Sequence, residues 1–178
     1  VYVDVNVGMN RTGIIPGDAT LELYKKCKSL EGIVPTGLHA YDGHIRSANI
    51  EERTIESDKA FEPVLKMQKI LKDNGFPEPV IIAGGSPTFS VHSKRKDIEC
   101  SPGTFIYWDR SYQQSVTEQN FITAALVITR VISLPAPGIL CLDLGHKSIA
   151  AENDLSKRVY FLNAPELHMK GQSEEHLV

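Results

Sequence analysis

Valines at positions 1, 3, 5 and 7 alternate with Tyr2, Asp4 and Asn6, and a period of two predicts a strand with one buried face. Pro16-Gly17 ends that pattern and Asp18 stands as an N-cap for DATLELYKKCKSL, where Leu21, Tyr24, Cys27 and Leu30 keep a roughly helical period until Gly32. IVPTGLHAY reads as a second strand, interrupted by Pro35 and Gly37. From Ile50 to Asn74 the chain is helix-forming, with Phe61, Val64, Leu65, Ile70 and Leu71 on an apolar face and Asn74-Gly75 closing it. PVIIAGG predicts a third strand, SPTFSV a short polar helix start, and the aromatic-rich GTFIYWD a fourth strand.

Strand and helix in regular alternation predict parallel βα units, whose chemistry gathers at the C-terminal ends of the strands. After about residue 118 the texture changes. ITAALVITRVIS, GILCLDLG, KSIAAE and RVYFL are short β-rich runs separated by Pro135, Pro137, Gly138 and Asn153, the pattern of an antiparallel β domain. The expected division is therefore an α/β domain over 1–117 and a β domain over 118–178.

Composition narrows the function classes. With 42% hydrophobic and 23% charged residues among 178, the chain can bury an ordinary globular core, which sets aside disordered and fibrous classes. A net charge of −3 provides no basic stripe for a nucleic-acid backbone or an anionic membrane surface. No apolar run reaches the ~18 residues of a membrane span. Cys27, Cys100 and Cys141 are odd in number and far apart, fitting neither a disulfide framework nor a paired-cysteine metal site. A reducing, cytoplasmic location is the natural expectation.

Four motifs fall at predicted strand ends. In GMNRTG, two glycines flank Arg11; a tight turn with an exposed arginine accounts for them, and so does a guanidinium aimed at an anionic or phenolic oxygen. In LHAYDGH, Tyr41 and His44 share one strand end, where one can bond or stack on a ring and the other exchange protons near neutral pH. His39, on the same strand face as Tyr41, is a fallback, and Asp42 could orient either histidine. GGSPT brings free N–H groups of Gly84 and Gly85 together with the Ser86 and Thr88 hydroxyls, as a phosphate cradle needs; a plain strand-to-helix turn uses the same residues. It lacks the lysine of a nucleoside-triphosphate loop, and no dinucleotide fingerprint is present. SPGTFIYWD contributes Gly103 and Thr104, with Trp108 expected in the core and Tyr107 and Asp109 on the other face.

Taken in order, VDVNVGMNRTG, LHAYDGH, GGSPT, ECSPGTFIYWD, LDLGHKSIAAE and QSEEH resemble the D-threonine aldolase and D-serine dehydratase family, pyridoxal-phosphate enzymes of alanine-racemase-like fold. The resemblance spans nearly the whole chain. It implies an α/β fold made of the second half of a (β/α)8 TIM-type barrel followed by a C-terminal antiparallel β domain. It implies pyridoxal 5′-phosphate as cofactor, with Arg11 reaching a ring oxygen or nitrogen, Tyr41 at the cofactor and substrate side, and His44 in proton transfer. Gly85 and Ser86, with Gly103 and Thr104, would hold the phosphate. Alanine racemases carry an arginine immediately before the corresponding Pro-Gly; Ser101 stands there instead.

The family's Schiff-base lysine lies upstream of GMNRTG and its metal-binding pair downstream of QSEEH, so the chain is expected to be part of a longer enzyme. Lys147, the one lysine in a motif-like setting, is expected at a surface or domain interface. A divalent metal (Mn, Mg or Zn) is implied, with ligands outside this chain. The implied activity is cleavage of a D-3-hydroxy amino acid to glycine and an aldehyde. D-serine dehydration and a non-catalytic PLP- or phosphate-binding role are the alternatives. The partner is a small D-amino-acid substrate, with no nucleic acid and no membrane, and fold relatives imply a homodimer.

Overall fold

A computed structural model describes residues 1–178, which form two compact units, 1–124 and 125–178. In the first unit β1 (Tyr2–Asp4), β2 (Gly37–Ala40), β3 (Val80–Ala83) and β4 (Ile98–Cys100) lie side by side in chain order, every pair parallel. The connections are α1 (Asp18–Ser29), α2 (Ile50–Asp73) and the single turn α3 (Phe89–His92). Sequential parallel neighbours joined by helices are the arrangement the alternation predicts.

Alternation sorts the sheet into two faces. Val3, Val5, Leu38, Ala40, Ile81 and Ala83 are buried and pack with Tyr24 of α1 and with Phe61, Val64, Met67 and Leu71 of α2. On α2 the buried positions recur every three or four residues, whereas Leu65 and Ile70, expected on the same face, are exposed. Asn49 caps α2 by accepting the Glu52 N–H at 2.9 Å. In α1, by contrast, Gly17 occupies the N-cap and Asp18 is the first helical residue, with no side-chain cap. Across the other face the register sets Asp4 beside His39, His39 beside Ile82, and Ile82 beside Glu99.

The fourth strand is Ile98–Cys100, and GTFIYWD is not a strand. Thr104–Ile106 is a 3₁₀ turn, the Thr104 carbonyl accepts N–H groups from both Tyr107 and Trp108, and Trp108 has a left-handed φ of 49°. Strand propensity loses here to packing. Trp108 is 2% exposed and meets Phe121 edge-on at 5.1 Å and Tyr112 in a stack at 5.3 Å, while Phe105 lies 5.6 Å from Phe121. Asp109 then caps α4 (Arg110–Ser115) through the Tyr112 N–H.

The second unit holds one antiparallel hairpin, β5 (Val131–Ala136) and β6 (Ile139–Leu142), turning through Pro137 and Gly138 at φ 73°. KSIAAE and RVYFL, expected as strands, are loops. Their Ile149, Val159 and Phe161 pack on a small cluster of Leu142, Leu144 and Leu177, so hydrophobic contact serves them without a ladder. No helix is long and apolar enough to cross a membrane.

Candidate active site

The loop after β1 is organised by a side chain that the motif did not single out. Asn6 Oδ1 accepts the N–H groups of Gly8 at 3.0 Å and Asn10 at 3.1 Å, and its Nδ2 donates to Asn10 Oδ1 at 3.0 Å. Asn10 is left-handed at φ 54°, and the chain returns so that Ile14 pairs with the end of β1. This turn exposes Arg11 and swings its guanidinium over Tyr41, 4.9 Å from the ring centroid.

Tyr41 follows β2 directly and lies between two other glycines. A Cβ at Gly43 would stand 2.2 Å from its hydroxyl oxygen and one at Gly85 would stand 3.0 Å from its ring. His44 is exposed, and its Nε2 lies 2.7 Å from where a Cβ on Gly8 would be, with Gly8 itself at φ 124°. The GMNRTG, YDGH and GGSPT segments thus meet at the C-terminal ends of β1, β2 and β3, with Arg11, Tyr41 and His44 at their junctions. Arg46 fastens the YDGH turn by donating from Nε to the Gly43 carbonyl at 2.7 Å.

The GGSPT loop is buried from Gly84 to Thr88. Gly85 does not present its N–H outward: it donates to Asp42 Oδ1 and Thr88 Oγ1, both at 3.1 Å. The Thr88 hydroxyl likewise points inward, to Asp42 Oδ1 at 2.6 Å. Ser86 differs. Its Oγ accepts the Thr104 N–H at 3.1 Å, which leaves the hydroxyl hydrogen for another acceptor, while Gln119 holds the Ser86 carbonyl at 2.8 Å. At Gly103 a Cβ would meet open space, so the approach beside Thr104 is clear. Ser101, in the position of the racemase arginine, donates to the Gly84 carbonyl at 3.2 Å.

Neither His39 nor His44 is oriented by Asp42. His39 Nδ1 pairs with Asp4 Oδ1 at 2.8 Å across the β1–β2 register, and Asp42 turns to His92 at 2.8 Å. His92 was invisible as a site residue because it lies in no motif; its only sequence signal is its place one helical turn after Thr88. Tyr112 is a second such residue. Burial pushes its phenol above the usual range, the Arg46 charge opposes this, Tyr41 and Asp109 add to it, and a hydrogen bond with the Thr104 side chain opposes it. Burial and the Asp42 charge likewise push the Cys100 thiol up, which disfavours its thiolate. Tyr107 is exposed, and Trp108 is core as expected.

Two features fit the phosphate end of a pyridoxal-type cofactor, a buried serine with an uncommitted hydroxyl hydrogen and an open glycine next to its partner Thr104, and the Arg11 guanidinium over the Tyr41 ring offers a cation for the cofactor ring. The chain's own lysine candidate lies in the second unit. Lys147 is exposed and paired with Glu174 at 3.0 Å and Glu175 at 3.2 Å. No group of three or more His, Cys, Asp or Glu residues is arranged to hold a metal ion.

Residues 1–111 match the family model described as "Alanine racemase, N-terminal domain", and residues 124–178 match "Putative serine dehydratase domain". The chain is 29% identical over 157 residues to D-threonine aldolase from Arthrobacter sp, covering 85% of this chain and 41% of that protein. It is 20% identical over 166 residues to 3-hydroxy-D-aspartate aldolase from Paracoccus denitrificans, covering 87% and 42%. The crystal structure of D-threonine aldolase from Filomicrobium marinum superposes with a TM-score of 0.86 at 26% identity, over 100% of this chain and 48% of that one. A metal-free form of D-threo-3-hydroxyaspartate dehydratase shares the fold at a TM-score of 0.80 and 18% identity, over 99% of this chain and 51% of that one. The chain spans less than half the length of the curated relatives it matches.

Proposed function

Because the chain belongs to the alanine racemase N-terminal-domain family of PLP-dependent, D-amino-acid-processing enzymes, we propose that the polypeptide carrying it is a lyase of the D-threonine aldolase type, cleaving D-3-hydroxy amino acids to glycine and an aldehyde. The observation that carries the reading is the junction at the strand ends, where Arg11 stacks on Tyr41 and His44 abuts Gly8 within a scaffold that superposes on a D-threonine aldolase.

In this reading Ser86 donates its hydroxyl hydrogen to the cofactor phosphate, with Gly103 and Thr104 alongside. Gly85 contributes closeness to Tyr41 rather than a free donor. Arg11, always charged, bonds an oxygen or nitrogen of the ring, and Tyr41 presents its face to guanidinium and ring alike. His44, exposed at the mouth, accepts the proton of the substrate β-hydroxyl. When bound, the cofactor supplies an electron sink for cleavage beside the substrate α-carbon. The divalent metal that the resemblance implies draws its ligands from outside this chain.

Dehydration of a D-hydroxy amino acid is the second reading, favoured by the match of residues 124–178 to the serine dehydratase domain model. Product analysis on the full-length protein separates the two. D-threonine should yield glycine and acetaldehyde in equal amounts, with little pyruvate from D-serine; the reverse pattern would establish the dehydratase and refute the aldolase.

A further inference from the structure

Asp42 is only 3% exposed, yet it stands between Tyr41 and the Gly43-His44 turn. Its carboxylate accepts three hydrogen bonds: Oδ1 from the Thr88 hydroxyl at 2.6 Å and the Gly85 N–H at 3.1 Å, and Oδ2 from His92 at 2.8 Å. The direction of the last bond follows from Arg95. Its Nε can only donate and lies 3.2 Å from His92 Nδ1, so that nitrogen carries the lone pair and Nε2 carries the proton. Arg95 is anchored in turn on Asp58 at 2.6 Å and over the Phe61 ring at 4.6 Å. Ser57 Oγ completes the surroundings of His92 Nε2 at 3.2 Å.

The loop is shaped to receive this clamp. Gly84 is left-handed at φ 83°, and a Cβ there would lie 2.7 Å from the His92 ring and 3.1 Å from Thr88 Oγ1, so only glycine lets loop, threonine and imidazole close together. With the Gly85 N–H and the Thr88 hydroxyl both drawn inward, the Ser86 hydroxyl hydrogen remains uncommitted.

We propose that Asp42 is a positioning residue: it holds the Gly84–Thr88 loop in its phosphate-receiving shape and ties that loop to the Tyr41–His44 turn, with His92 and Arg95 fixing its second oxygen. The proposal rests on the reading of Ser86 as the phosphate contact. A purely structural carboxylate would lower stability without distinguishing a ligand with a phosphate from one without.

The test uses the full-length protein and two ligands, pyridoxal 5′-phosphate and pyridoxal, which share ring and aldehyde and differ in the phosphate. Binding is measured for the wild type, Asp42→Asn, Thr88→Val and Thr88→Ser, with the ³¹P resonance of bound pyridoxal phosphate as a second readout. Asp42→Asn and Thr88→Val should weaken pyridoxal phosphate by about tenfold and pyridoxal by less than about twofold, while Thr88→Ser, which keeps the hydroxyl, stays within about threefold of wild type. The ³¹P resonance should move in the first two variants and not in the third. Equal losses for both ligands, or no loss for either, would overturn the proposal; if Asp42→Asn does not fold, the Thr88 pair decides alone. A wild type that binds both ligands equally well would instead overturn the phosphate assignment of Ser86 on which the proposal stands.

Discussion

The guanidinium carbon of Arg11 lies 4.9 Å from the centroid of the Tyr41 ring, joining the loop after β1 to the end of β2. The contact is a cation over a π face, with both partners reachable from solvent. Arg11→Lys keeps the charge and loses the planar fork, whereas Tyr41→Phe keeps the face and loses the hydroxyl. Both should leave the melting temperature within about 3 °C, since exposed contacts of this kind contribute ~0.5–1 kcal/mol. Arg11→Lys should lower affinity for pyridoxal phosphate in the full-length protein by about tenfold, measured by titration of the cofactor-free form.

Gly8 and His44 give a sharper steric prediction. A methyl group on Gly8 would sit 2.7 Å from His44 Nε2, and the exposed ring can swing away. Gly8→Ala should therefore cost only the strain of a residue held at positive φ, about 1–3 kcal/mol, while reducing turnover about tenfold or more by displacing His44, the proposed proton-transfer group. Circular dichroism melts and steady-state assays on the same preparation check both halves.

Arg53 and Glu118 form a pair that depends on pH. Arg53 is fully buried and donates to the Ser47 carbonyl and to Glu118, and Ser90 adds a bond to the same carboxylate oxygen at 2.7 Å. Burial alone would raise the Glu118 pKa, but the hydrogen bonds from Ser90 and Arg53 outweigh it and hold the carboxyl below its ordinary 4.5. A folded-state pKa below the unfolded one stabilises fully above pH 4.5 and is lost as pH falls through the folded value. Glu118→Gln should thus melt below wild type at pH 7, and the gap should close on acidification below pH 4.5; a gap independent of pH contradicts the assignment. Arg53→Met, which removes the buried partner, should cost about 3–5 kcal/mol at pH 7.

Much of the first unit was legible in the sequence. The period of two in VYVDVNV located β1, the runs IVPTGLHAY and PVIIAGG located β2 and β3, and the spacing of Phe61, Val64 and Leu71 located the buried face of α2, while the glycine-rich motifs fall at the strand ends that form the candidate site. What escaped was decided by contacts between distant residues. GTFIYWD has strand propensity, but Trp108 gains more by packing against Phe121 and Tyr112. The three-residue strand at Ile98 is too short to leave a period. In the second unit two of the four β-rich runs pair as β5 and β6, and the other two pack on Leu142, Leu144 and Leu177 without pairing. Asp42, expected to orient His39 or His44, turns instead to His92, which lies fifty positions later with no local pattern to link them.

The central claim is that this scaffold serves a pyridoxal-phosphate lyase, and it is tested most directly by stripping the cofactor from the full-length protein and adding it back. Cleavage of D-threonine to glycine and acetaldehyde should vanish on removal and return in step with about one pyridoxal phosphate bound per chain. Turnover unchanged by removal, or a protein that takes up no pyridoxal phosphate, would contradict the account.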